Sequence, residues 1–253
     1  MVASWTLASA LDGVDLVVFD KDGTLTSFDA MWIRWTRTLG ARLEMTTGRP
    51  VAGDVFAAIG FDPAADRVLP GGPLAIATMA EIEDRVAAVI RRWCPNVAAA
   101  RRAIADAWFE PDPIAEAVPL ADLPVLFTAI VDSGRRIAVA TTDNRRPTEA
   151  TLAVLGVADL VAHLSCGDDD GPRKPQPALF DAVCDAMRTS TGRAAIVSDT
   201  PADLRMGREA GAGRTIGVLS GVSSAEDLDP LADVLLASVR ELLGGTSGLS
   251  PQD

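Results

Sequence analysis

Val17-Val18-Phe19-Asp20-Lys21-Asp22-Gly23-Thr24-Leu25-Thr26 decides how the rest of the chain reads. A short apolar run over residues 16–19 leads two carboxylates, spaced i and i+2, into a Gly-Thr turn. Apolar runs of this length read as buried strands, and a following Gly marks where the strand ends. Alternation along extended chain lets Asp20 and Asp22 reach one site. There, one carboxylate can attack an electrophile while the other moves a proton, and two close acids invite a divalent cation with oxygen ligands. The plainer alternative is an acidic turn after a strand.

Outward from that stretch, strands and helices alternate only in the second half of the chain. Strands are expected at 137–140, 160–165, 194–197, 215–218 and 234–236, with helices at 147–155, 176–188, 201–210 and around 238–243. Such alternation implies an α/β fold, a Rossmann-like doubly wound parallel sheet with helices on both faces. Residues 28–118 read differently. Trp32, Trp35, Leu39 and Leu43 recur at helical steps, as do Ile82, Val86, Val89, Ile90 and Trp93, and 97–109 suggest a third helix. Breakers from Gly48 to Pro73 mark a loop-rich piece between the first two helices, and no strand is expected in the region. The Trp residues read as packing rather than as a ligand pocket. The division expected is a core of 1–27 and 119–243, an inserted all-helical domain of 28–118, and a disordered tail of 244–253, poor in apolar residues.

Composition narrows the function. The chain has 253 residues, 48% of them apolar, enough for a substantial core. Its net charge of −12 and pI of about 4.5 argue against a nucleic-acid or anionic-membrane surface. No apolar stretch approaches the roughly 20 residues of a membrane helix, and Met1 to Leu16 carry no signal-peptide pattern. Cys94, Cys166 and Cys184 are too few and too scattered for a disulfide framework or zinc site, and each reads as a small buried apolar residue. A cytoplasmic setting fits best. His163 is the one histidine and reads as structural, in a buried strand, which leaves little room for a Ser-His-Asp triad.

Ligands of open α/β sheets bind at the carboxyl ends of strands, and three more strand ends carry polar chemistry. Thr141-Thr142-Asp143-Asn144 can donate hydrogen bonds to phosphoryl oxygens, or simply cap a helix. Lys174, held between Pro172 and Pro175 ahead of a helix, offers a fixed ammonium, or a solvated surface Lys. The preceding Asp168, Asp169 and Asp170 read as a solvated loop with a contact to Lys174. Ser198-Asp199-Thr200-Pro201-Ala202-Asp203 places one acid at a strand end and a second four residues on, where the helix dipole also favours it.

Taken together, these four stretches resemble the four motifs of the haloacid dehalogenase-like superfamily: DxDGT, a Ser/Thr after a strand, KPxP and GDTxxD. Ser198 departs from the last, where Gly is usual; being small, it is expected to be tolerated. The resemblance covers 14–27 and about 119–240, and the insertion falls where family members of the C1 type carry a helical cap. It implies that Asp20 is the nucleophile and Asp22 the general acid/base. Thr141, Thr142, Gly23 and Lys174 would bind the phosphoryl group. Mg²⁺ would sit on an Asp20 carboxylate oxygen, the Asp22 carbonyl and Asp199, with Asp203 orienting the site from behind. The implied activity is a Mg²⁺-dependent phosphatase, phosphoglycolate-phosphatase-like, acting on a small phosphorylated metabolite as a monomer or homodimer. Asp22 separates this reading from carbon–halogen cleavage, whose enzymes lack it. A sugar-phosphate mutase of the β-phosphoglucomutase type would keep the same motifs. A non-catalytic binding protein would require a damaged site.

Overall fold

The computed structural model describes residues 5–244. Residues 1–4 of the lead-in and 245–253 of the expected tail lie outside the described residues. A single turn α1 (Leu7–Ala10), capped by Thr6, precedes the central strand β1 (Leu16–Phe19). The insertion follows as α2 (Phe28–Thr47), α3 (Ala52–Ile59), β2 (Phe61–Asp62), β3 (Arg67–Val68), α4 (Pro73–Ile76), α5 (Met79–Trp93) and α6 (Val97–Ala107). The chain then alternates: α7 (Leu123–Asp132), β4 (Arg136–Ala140), α8 (Arg145–Val154), β5 (His163–Ser165), α9 (Pro177–Ala186) and β6 (Ala194–Ser198). It closes with α10 (Pro201–Glu209), β7 (Arg214–Val218), α11 (Ala225–Leu228), β8 (Val234–Leu236) and a 3₁₀ turn over Val239–Leu243.

Six strands form one sheet in the order β5-β4-β1-β6-β7-β8, every neighbouring pair parallel. Parallel sheets are covered on both faces, so their strands carry unbroken apolar runs. The core shows this directly. Val17 and Phe19 face one layer with Phe127 and Ile130 of α7, while Leu16 and Val18 face the other with Phe180 and Val183 of α9. Phe19 and Phe127 stack with centroids 5.3 Å apart. The α/β fold expected from alternation is the fold observed, and the four motif-bearing strands lie side by side in the order β5-β4-β1-β6.

The insertion has its own apolar cluster, built on Trp35, Leu39, Ile82, Val86 and Ile104. Trp35 lies edge-on to both Trp32 and Trp108, and its indole N–H donates to the Phe109 carbonyl at 2.8 Å.

The structure corrects several expectations. The insertion is not all-helical: β2 and β3 pair as a short antiparallel ribbon. The piece between α2 and α5 is not mainly loop, because Val55, Phe56 and Ile59 bury one face of α3 despite Gly53. Helix α7 was not anticipated, although Pro124 in its first turn is where a helix tolerates proline. Strand β5 covers only His163–Ser165, since Ala158–Leu160 form a 3₁₀ turn. His163 is half-buried there, paired with the Ser165 hydroxyl at 3.1 Å. Cys166 and Cys184 are buried, but Cys94, at the C-terminal end of α5, is only half-buried.

Candidate active site

β1 delivers its load through a tight loop. The Asp20 amide donates to the Val197 carbonyl at 2.9 Å, extending the β1–β6 pairing by one residue. The Lys21 carbonyl then accepts from the amides of Leu25 at 2.7 Å and Thr26 at 3.0 Å, and Gly23 N–H reaches the Thr26 carbonyl at 2.7 Å. Gly23 has φ of +86°, and a Cβ built there would stand 2.5 Å from the Asp199 carboxylate. Glycine is therefore required for both backbone conformation and space.

Lys174 is only 8% exposed. Its ammonium makes a short contact to Asp20 and donates to Asp203 Oδ2 at 2.7 Å. Asp203, in the first turn of α10, also accepts from the Ser198 hydroxyl at 2.8 Å. Ser198 is thus more than a tolerated small residue, because its side chain fixes the acid that holds Lys174. Burial pushes Asp20 up to about 6, with Lys174 opposing and the Asp203 charge adding to the rise. Burial alone would lower the Lys174 ammonium, but the Asp20 and Asp203 carboxylates outweigh it and hold the cation above its ordinary value.

A second buried ionic group stands beside the first and was missed in the sequence. Lys21, 1% exposed, contacts Asp22 Oδ2 at 2.7 Å and Asp143 Oδ2 at 2.9 Å. Thr26 Oγ1 donates to Asp22 Oδ1 at 2.9 Å. Asp22 is therefore held by a cation and a hydroxyl. Burial raises Asp143 to about 6, against the pull of Lys21. The available signal was burial: a Lys at the end of a buried strand needs acids beside it, and Asp22 is one of them.

Asp20, Asp22, Thr141, Thr142 and Asp143 line one cavity, roofed by Phe28, Trp32 and Leu74 of the insertion. A smaller neighbouring space is lined by Asp20, Thr142, Lys174 and Asp203. Thr141 Oγ1 accepts from the Asp143 amide at 3.1 Å, whereas Asn144 caps α8 without a side-chain bond. The acidic loop does not reach Lys174. Asp168 accepts from the Arg145 amide at 2.7 Å, and Asp169 accepts from the Arg145 guanidinium at 2.6 Å and from the Cys166 amide at 2.7 Å.

Asp199 lies fully buried at the end of β6. Its carboxylate accepts from Thr24 Oγ1 at 3.3 Å and from the Val222 amide at 2.9 Å. Burial raises it well above the usual carboxylate range, and the charge of Asp20 adds to the rise. Asp199 lines neither cavity, but it is a buried carboxylate raised by the Asp20 charge, and with neither His nor Cys among the lining residues this pair of acids suits a hard divalent cation with oxygen ligands. Among the described residues no group of three or more His, Cys, Asp or Glu side chains stands ready for a metal. The expected set does not need one, since it draws on two carboxylates and the Asp22 carbonyl, and the Asp22 side chain is engaged by Lys21 and Thr26.

Comparison with known proteins places this geometry in context. A family model described as haloacid dehalogenase-like hydrolase matches residues 14–211. A phosphoglycolate phosphatase of Rhodospirillum rubrum is 34% identical over 105 residues, which span 42% of this chain and 44% of that protein. The crystal structure of a predicted phosphoglycolate phosphatase from Haemophilus somnus 129PT superimposes with a TM-score of 0.64 at 15% identity, covering 92% of this chain and 98% of the other. A β-phosphoglucomutase from Clostridium difficile gives 0.56 at 15% identity, covering 90% and 93%. At those identities the likeness concerns the fold.

Proposed function

The chain belongs to the haloacid dehalogenase-like hydrolases, and from that premise we propose that it is a Mg²⁺-dependent phosphatase of small phosphomonoesters, working through an aspartyl-phosphate on Asp20. The observation that carries this reading is that Asp20, which lines one cavity with Asp22, is paired with a Lys174 that Asp203 holds from behind. In the first half-reaction an Asp20 oxygen forms a bond to phosphorus as the bond to the ester oxygen breaks. Asp22 gives its proton to the departing alcohol. In the second, Asp22 takes a proton from water as that water attacks the same phosphorus, which releases phosphate and restores the Asp20 carboxylate.

Lys174 keeps positive charge beside the nucleophile, and Thr141 and Thr142 supply hydroxyls at the cavity wall, the Thr141 amide donating instead to the Ser165 carbonyl. Asp20, Asp199 and the Asp22 carbonyl would hold the ion. When bound, Mg²⁺ offsets the repulsion between the acids and the phosphoryl oxygens. The insertion acts as a cap, since Phe28, Trp32 and Leu74 already roof the nucleophile and limit access of bulk water. Among the described residues no helix is long and apolar enough to cross a membrane.

The test is phosphate release from a panel of phosphomonoesters with Mg²⁺, with EDTA and with Asp20→Asn. Mg²⁺-dependent release lost in Asp20→Asn is expected. No release from any ester, with the metal still bound, overturns the reading. Interconversion of sugar phosphates without net release of phosphate would move the chain to the mutases.

A further inference from the structure

We infer that the ester this enzyme hydrolyses has an uncharged, apolar or aromatic leaving group, rather than one bearing a carboxylate. This rests on the phosphatase reading above and concerns what lies beyond the phosphoryl position.

The cavity containing Asp20 and Asp22 continues into a second one, with Trp32, Met79 and Asp143 shared by both walls. The space the two enclose is small, about 20 and 30 Å³, so a leaving group is admitted only as the insertion opens, and the chemistry of the walls rather than their present volume selects it. On the insertion side the walls are Phe28, Met31 and Trp32 of α2, Leu74 of α4, and Met79 and Ile82 of α5. Trp108 and a run of prolines complete the outer cavity.

Charge selects more sharply than shape. Among the described residues lining the two cavities there is no Lys, Arg or His, while Asp22, Asp143 and Glu110 all face them. The two lysines nearby are already committed. Lys174 is paired with Asp20 and Asp203, and Lys21 with Asp22 and Asp143. Arg145 is spent on Asp169. A leaving group with its own carboxylate would leave water for a wall that offers it no free cation, where Lys21 is shared between Asp22 and Asp143 and Glu110 adds a further acid, which costs free energy at every step up to the transition state. An apolar or aromatic group instead meets two indole rings and two thioethers, surfaces that stack and adapt.

Three esters of primary alcohols separate the possibilities with the chemistry at phosphorus kept similar: benzyl phosphate, ethyl phosphate and phosphoglycolate. With Mg²⁺, kcat/KM should rank in that order, with benzyl phosphate above phosphoglycolate by about tenfold or more. Ethyl phosphate separates rejection of charge from gain of apolar contact. Met79→Arg, which puts a guanidinium on the wall shared by both cavities, should shift the ratio towards phosphoglycolate by about tenfold. Should the variant not fold, the wild-type ranking decides alone. Phosphoglycolate turned over as well as or better than benzyl phosphate overturns the inference and leaves the phosphatase reading standing. No release from any of the three overturns both.

Discussion

Replacing Lys21 by Met should lower the unfolding free energy by about 3–5 kcal/mol, the usual cost of stripping one partner from a buried ionic group. The side chain is 1% exposed, and its ammonium stands 2.7 Å from Asp22 and 2.9 Å from Asp143. At an effective dielectric constant of about 20, each contact is worth roughly 6 kcal/mol of direct attraction. Desolvation of the three charged groups offsets most of that sum. Met keeps the aliphatic stem, so the loss reports on charge and not on a cavity. What remains is two carboxylates facing each other in a buried place. Urea unfolding with EDTA at pH 8 measures the loss, since Asp143, at about 6 with Lys21 beside it, is then ionised in the parent protein. Adding Asp143→Asn to the Lys21→Met protein should restore about 1–3 kcal/mol, because the two positions share one interaction. A loss below about 1 kcal/mol for the single variant, or strict additivity in the pair, would refute the view that Lys21 neutralises both acids.

Three further outcomes follow from the same geometry. Asp20 is raised to about 6 from 3.8, so its ionised form destabilises the fold above pH 6 and not below the unfolded value. Asp20→Asn should accordingly stabilise the metal-free protein at pH 7, by about 3 kcal/mol at most, with the gain fading as pH falls from about 6 towards 4; a pH-independent difference in urea unfolding contradicts this. Lys174→Met should lower kcat by about 10²–10³-fold while changing KM less, and steady-state kinetics showing only a KM effect would remove Lys174 from the chemical step. Ser198→Gly should cost about 1 kcal/mol in thermal unfolding, through the lost hydrogen bond to Asp203, and no change would mean that Asp203 holds its place without the hydroxyl.

The sheet was legible because parallel strands buried on both faces have no alternation to disguise them. Val17-Val18-Phe19 and Ala195-Ile196-Val197 read as strands from apolarity alone, and their ends carry Asp20 and Asp199. The insertion was harder to read. Gly53 and the prolines near α3 and α4 suggest loop, but tertiary burial of Val55, Phe56 and Ile59 outweighs the local cost of a helical glycine. Within the site, the carboxylates of Asp20 and Asp22 could be placed by strand alternation, whereas their partners could not. Lys21 lies 122 residues from Asp143, and Lys174 lies 154 from Asp20; pairings at such separations are settled by which strands become neighbours, and only the sheet order reveals that. The acidic loop misled for a related reason: Arg145, from the other side of β5, claims Asp169 before Lys174 can.

Trp32 belongs to two structures at once. One side of its ring packs within the insertion, tilted against Phe28 and edge-on to Trp35, while the same residue walls both cavities. A residue with two such duties couples two selective pressures. Any exchange that reshapes the pocket there also loosens the cap, so the position resists drift even when a new substrate would favour change. Met79, half-buried at the start of α5, packs only against the margin of the insertion's cluster, and Glu110 is exposed, so both are freer to change. Divergence in substrate preference among descendants of this chain should therefore accumulate at those two positions, with the tryptophan left in place as the fixed point around which the pocket is rewritten.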